Sequence, residues 1–210
     1  MERTPEYGYI HLFPDLIQYE FMIMKIYLAS KSPRRQQLLE QIGIDYEIVD
    51  IHIDETWDGV EPAKTYVQRM AREKAAAARK IITGQHPVLA ADTVVVLDDR
   101  VLGKAETKDE ARAMLGRLSG RTHHVYSAVA LITDSEQVRL NISRVSFRPL
   151  TAEMINSYCE TGEPLGKAGA YAIQGRAAAF IERLEGSYSG VMGLPLYETI
   201  EMLRSIGLPD

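Results

Sequence analysis

Residues 87–99, PVLAADTVVVLDD, constrain this chain more than any other stretch. Between the opening proline and the closing aspartates almost every position is apolar, and four are valine. A run of that length without polar alternation is a central strand of a sheet, covered on both faces. Its polar interruption, Asp92-Thr93, asks for a chemical reason. An unpaired carboxylate inside an apolar run is costly, so Asp92 needs a metal, a cation or a water it can deprotonate. The plainer alternative is a structural aspartate bonded to backbone amides.

The rest of the pattern surrounds that strand with helices. Residues 25–30 form a buried strand, and Ser32-Pro33 starts a helix that Gly43 ends. YEIVDIHID (46–54) alternates as a strand does. Pro62 opens a helix to about residue 82, with Tyr66, Val67, Met70, Ala71, Lys74, Ala75 and Ala78 at helical spacing. Val101-Leu102 is a short return strand. Thr107 to Glu110 is a capping box for a helix to 118, and Thr151 caps another that stops at Gly162. Strands follow at 124–133, 138–150, 170–175 (AYAIQG) and 178–186 (AAFIERLEG), and a last helix runs from Pro195 to Gly207. Strands and helices mix without strict alternation. The expected fold is therefore α/β, a mixed twisted sheet with packed helices. At 210 residues the chain suffices for one such domain. Residues 1–23 lack any clean period and are expected to be an N-terminal extension, poorly ordered, ahead of a single domain at 24–210.

Composition narrows the partners. The formal net charge of −5 disfavours a nucleic acid polymer, which usually meets a basic face, but leaves room for a small anion in a local basic pocket. No stretch approaches the length of a membrane span. A single cysteine, Cys159, permits no intramolecular disulfide and fits a reducing, cytoplasmic setting. It reads as a structural thiol on a helix. The five histidines, including the pair His123-His124, lack catalytic context and read as structural or solvated.

Local chemistry points to that anion. In LASKSPRRQQLL (28–39) a strand leads into a helix start bearing Ser30, Ser32, Arg34 and Arg35. Free N–H groups and the helix dipole favour negative charge there. Two arginines in a first helical turn work against that dipole, which suggests a bound anion, most plausibly phosphate. Surface ion pairs are the alternative. Asp54-Glu55 follows a strand, and with Asp92 it would offer the oxygen ligands of a hard divalent cation, Mg²⁺ or Mn²⁺. Lys74 lies on the apolar face of its helix, and Lys104 follows the return strand, near Asp92. Within GKAGAYAIQG (166–175) the small residues suit a close backbone approach to a flat ligand. Gln174 carries a donor and an acceptor suited to a base edge. A glycine-rich hairpin is the bland alternative. No G-x-x-x-x-G-K-[ST] loop, G-x-G-x-x-G fingerprint or zinc spacing is present, and GSYSG (186–190) has Tyr188 where a nucleophilic serine would stand.

Taken together, LASKSPRRQQLL, IDE, YVQRMAREKA, AADTVV, VLGK, LSGRTHHVYSAVAL, EPLGKAGAYAIQG and GSYSGVMGLPL resemble the Maf family of nucleoside triphosphate pyrophosphatases, in family order from about residue 24 onward. The resemblance implies a deep cleft and a fold shared with inosine triphosphate pyrophosphatases. It implies hydrolysis of a nucleoside triphosphate to the monophosphate and pyrophosphate with a divalent metal, and a homodimer. KAGAY-x-IQG is similar to the branch acting on dTTP and UTP; the branch acting on 7-methyl-GTP tends to carry glutamate at the position of Gln174. By position, Asp92 is implied as the proton acceptor, and Arg34, Thr93 and Gln174 as the residues that set substrate choice. Ser30, Ser32, Arg35, Glu55, Lys74 and Lys104 match the remaining polar lining, with Glu55 and Asp92 on the metal. Ala105 departs from the family's usual Lys-Pro. A non-catalytic nucleotide-binding regulator of cell division is the alternative from another class.

Overall fold

The computed structural model describes residues 25–207, so the expectation for residues 1–23 lies outside the described residues. The apolar run becomes β3 (Val88–Leu97). Its residues divide strictly by parity. Leu89, Ala91, Val95 and Leu97 enter one hydrophobic core, while Val88, Ala90, Val94 and Val96 enter a second on the other face. Fully burying each valine or leucine contributes about 1.5–3 kcal/mol. Summed along the strand, that outweighs the several kcal/mol that desolvating a charged pair costs, so β3 can carry Asp92 at its middle.

Seven strands form one mixed sheet among the described residues. They are β1 (Ile26–Leu28), β2 (Tyr46–Ile48), β3, β4 (Arg100–Leu102), β5 (Thr122–Ile132), β6 (Glu136–Phe147) and β7 (Ile181–Glu185). The order is β2-β1-β3-β5-β6-β7, with β4 paired to β3. β1 runs parallel to β2 and β3, and the other pairings are antiparallel. On one edge of β3, β5 pairs continuously from Val88 to Val96. The opposite edge is shared. β1 pairs only as far as Leu89, and β4 begins at Val95. Between them Ala90–Val94 has no strand partner on that edge, and the sheet opens there.

Six helices cover the faces among the described residues: α1 (Pro33–Gln41), α2 (Ala63–Arg79), α3 (Lys108–Leu118), α4 (Ala152–Glu160), α5 (Tyr188–Met192) and α6 (Leu196–Arg204). The stripe predicted for α2 is buried as a unit, Lys74 included. Its alanines let the helix lie close on β3 and β5. Thr107 and Thr151 cap α3 and α4 through their side chains, as their patterns require. No described helix is long and apolar enough to cross a membrane.

Three expectations need correction. The strand at 46–54 ends at Ile48, because its partner β1 stops at Leu28 and the last ladder bond is Val49 N–H to Leu28 C=O. Residues 170–175 are neither a strand nor half of a hairpin. Ala170 sits at φ +60, outside strand geometry, and Ala172–Gly175 closes as a turn. Residues 176–180 form a 3₁₀ turn before β7, so only the second half of 178–186 is strand. The short α5 had no sequence signal strong enough to place it.

Candidate active site

A cleft of about 590 Å³ lies at the opening in the sheet. All ten site residues predicted above line it: Ser30, Ser32, Arg34, Arg35, Glu55, Lys74, Asp92, Thr93, Lys104 and Gln174. Arg34 and Asp92 therefore share one cavity.

One half is built at the start of α1. Ser32 holds the N-cap position, yet its side chain makes no capping bond, which leaves the hydroxyl facing the cleft. Ser30 Oγ accepts from Ser32 N–H at 3.2 Å and from Arg35 Nη1 at 3.1 Å. Arg35 Nε donates to Gly193 C=O at 2.8 Å. Gly193 caps α5 at φ +133, a conformation that favours glycine, and this hydrogen bond ties the end of α5 to α1. Lys167, from the glycine-rich segment, joins Arg34 here. Among the described residues Arg34, Arg35 and Lys167 make no ion pair, and each is pushed toward losing its proton. For Arg34 the causes are burial and then the charge of Arg35. For Lys167 they are burial and then Arg34, opposed by Glu163. For Arg35 burial lowers the pKa, opposed by the charges of Asp92 and Glu55. This half is a crowd of cations short of anions.

The other half is saturated with ion pairs. Asp92 points toward α2, where Lys74 Nζ lies 2.7 Å from its Oδ1. The same ammonium lies 2.9 Å from Glu55 Oε1, and Lys104 Nζ lies 2.9 Å from Glu55 Oε2. Lys104 thus meets Glu55 rather than Asp92. Burial pulls the Glu55 pKa up, but hydrogen bonds and charge from Lys74 and Lys104 outweigh it and bring it down to about 2. Glu55 sits on the irregular stretch after β2, and Tyr66 of α2 holds its backbone carbonyl at 2.6 Å. Asp54 turns away and accepts from Thr56, so only one member of the acidic pair reaches the cleft. Ala105 is fully buried, and the adjoining Lys104 is tied to Ala168 by an isolated bridge.

Thr93 bonds Ser127 Oγ at 2.7 Å and lies 3.4 Å from Gly193 C=O, on the α5 side. Gln174 is exposed at the cleft wall. The expected structural roles of Cys159 and His123 hold: both are buried, Cys159 with its thiol pKa raised by burial. Burial, helped by His124, brings His123 down to about 4, and its Nε2 bonds the Tyr171 hydroxyl at 2.8 Å. Lys167, Gly193 and Tyr66 were missed by sequence reasoning. Lys167 had a signal, a cation inside GKAGAY, whereas nothing local marked the other two.

The donor set limits which metal suits the cleft. Among the described residues no three His, Cys, Asp or Glu side chains are grouped so that they could hold a metal ion by themselves. Glu55 and Asp92 nonetheless converge on the single Lys74 ammonium. One or two carboxylates, completed by substrate phosphates and water, is how Mg²⁺ is usually held. The residues fit a hard divalent cation and lack the nitrogen and sulfur set of a zinc site.

Fold and cleft together define an α/β protein in which cations at a helix start face a carboxylate pair across one cavity. More narrowly, the chain belongs to the family of Maf-like proteins, whose model matches residues 25–206. It is 50% identical over 186 residues to the dTTP/UTP pyrophosphatase of Methylococcus capsulatus, covering 88% of this chain and 92% of that one. It is 48% identical over 199 residues to the dTTP/UTP pyrophosphatase of Aromatoleum aromaticum, covering 88% and 97%. Among solved structures it is similar to a nucleoside-triphosphatase/dITP/XTP pyrophosphatase from Mycobacterium abscessus, at 19% identity and a TM-score of 0.46, covering 89% of this chain and 100% of that one.

Proposed function

We propose that the protein hydrolyses dTTP and UTP to the nucleoside monophosphate and pyrophosphate with the help of Mg²⁺ or Mn²⁺. The observation that carries this reading is the shared cleft, with unpaired cations on one wall and Asp92 on the other. The names of relatives near 50% identity supply the substrate.

Arg34, Arg35 and Lys167 take the triphosphate, whose oxygens supply the anions that this wall lacks. Ser30, Ser32 and the first N–H groups of α1 add neutral donors. Glu55 and Asp92 would hold the divalent cation, which when bound neutralises charge on the phosphate oxygens. Lys74 occupies one oxygen of Asp92. The other makes no hydrogen bond among the described residues, and it takes the proton of the attacking water. General base catalysis of this kind supplies about 10²–10⁴-fold, and the rest comes from holding water and phosphorus in register. Gln174 offers a donor and an acceptor to the O4 and N3–H edge of thymine or uracil, with Thr93 on the same cleft. A cavity of about 590 Å³ suits one nucleotide rather than a polymer. A homodimer accompanies this reading through the resemblance, and a cytoplasmic setting through the single cysteine.

The test is pyrophosphate release from dTTP, UTP, CTP and 7-methyl-GTP with Mn²⁺, compared with Asp92→Asn. Release from dTTP and UTP that the variant abolishes is expected. Equal rates for both proteins would remove Asp92 from the mechanism, and release confined to 7-methyl-GTP would move the protein to the other branch.

A further inference from the structure

The turn that carries Gln174 is gripped at both ends by a pair of side chains outside the cleft lining. Ala172–Gly175 closes through Gly175 N–H to Ala172 C=O at 3.0 Å. At its start, Ala172 N–H donates to the Tyr158 hydroxyl at 3.3 Å. Just past its end, Arg176 N–H donates to Glu163 Oε2 at 3.1 Å. The two grips are themselves joined, since Tyr158 OH donates to Glu163 Oε1 at 2.8 Å. Glu163 is anchored in turn, its N–H donating to Thr161 Oγ1 at 3.1 Å, which donates to Tyr158 C=O at 2.6 Å. Tyr158 is buried in α4, and its phenol pKa is raised by burial and by the Glu163 carboxylate, so it keeps the proton it donates.

A second, independent feature supports the same clamp. A Cβ at position 175 would overlap the Glu163 carboxylate, so a larger residue there has to displace it. The carboxylate therefore lies directly against the turn. Without this frame Gln174, an exposed amide on an irregular segment, would have freedom to serve either hydrogen-bonding pattern at position 4 of a pyrimidine.

We infer that Tyr158 and Glu163 are positioning residues for base selectivity, holding the Ala172–Gly175 turn so that Gln174 meets the 4-oxo pyrimidines and rejects 4-amino ones. The inference rests on the reading of Gln174 as the group that contacts the base. Neither residue lines the cleft, so the effect read is on the choice between bases; Glu163 also acts by its charge on Lys167, a change that UTP and CTP feel alike and that the ratio between them cancels.

The experiment measures kcat and KM for UTP and for CTP in the full chain, in Tyr158→Phe, Glu163→Gln, Gly175→Ala and Gln174→Ala. Tyr158→Phe removes both of its hydrogen bonds to the clamp. It is expected to lower the UTP-over-CTP preference about tenfold, through KM for UTP, with kcat within about twofold. Glu163→Gln keeps the shape and loses one acceptor, and should fall between wild type and Tyr158→Phe. Gly175→Ala should match Tyr158→Phe, because its methyl group forces the carboxylate away. Gln174→Ala should abolish the preference. Loss of activity on UTP and CTP in equal proportion in the clamp variants would reduce Tyr158 and Glu163 to structural residues. A preference that survives in them but vanishes in Gln174→Ala overturns the clamp and leaves the base reading standing. A preference that survives Gln174→Ala overturns both. Should Tyr158→Phe fail to fold, the isosteric Glu163→Gln decides on the same ratio.

Discussion

The two walls of the cleft solve opposite electrostatic problems. On the α2 side, Glu55, Lys74, Asp92 and Lys104 interlock, each charge within 2.9 Å of an opposite one. On the α1 side, Arg34, Arg35 and Lys167 crowd together and make no ion pair among the described residues. The first wall pairs all four of its charges within the chain. The second holds three cations that make no ion pair among the described residues, which is why the proposed function places the triphosphate there.

The largest test of that contrast is Asp92→Asn. A drop in kcat of about 10³-fold is expected, measured as pyrophosphate release, while affinity for a non-hydrolysable triphosphate analogue is retained. If affinity falls and turnover does not, the chemical wall has been misassigned. Next in size is Lys74→Met. Removing the cation from the saturated wall leaves Asp92 buried without its partner, and should cost about 3 kcal/mol of stability in denaturant unfolding. Arg34→Met is the matching change on the other wall. It relieves repulsion, so unfolding should move by no more than about 0.5 kcal/mol in the unfavourable direction. KM for UTP should nevertheless rise about tenfold. A stability loss equal to that of Lys74→Met would erase the distinction between the walls.

The smallest effect is in pH. The Glu55 pKa, at about 2, lies below its ordinary value of 4.5. The lowered pKa means that its contribution to folding is fully present above about pH 4.5 and is lost as pH falls through about 2. Because the side chain is partly exposed, solvent screening keeps that contribution small. Lys104→Ala should shift the Glu55 titration, followed by carboxyl NMR, toward higher pH. An unmoved titration would mean that Lys74 alone sets it.

Much of this was readable from residue order. Lys74 stood on the apolar stripe of α2 at helical spacing, and the stripe is buried as a unit. Ser30, Ser32, Arg34 and Arg35 announced a helix start loaded against its own dipole. Other features were not readable, for stated physical reasons. Alternation in YEIVDIHID continued past the point where β1 ran out, and alternation carries no information about a partner's length. AYAIQG mimics a strand because small apolar residues suit many backbones. Its actual path depends on Tyr158 and Glu163, whose grip is set by tertiary contact. Both carboxylates of the acidic pair read alike in IDE, yet Asp54 caps Thr56 while Glu55 is drawn in by two lysines.

By itself the sequence determined the doubly covered strand, the side of it on which each residue lies, and the pair of arginines at the start of the first helix. Only the tertiary structure decided that these belong to one site. Neighbours on a strand point to opposite faces, so Asp92 and Thr93 should never line the same cavity. They do so because β1 stops and β4 has not yet begun beside Ala90–Val94, and a cleft at an unpaired edge can reach both faces of a sheet.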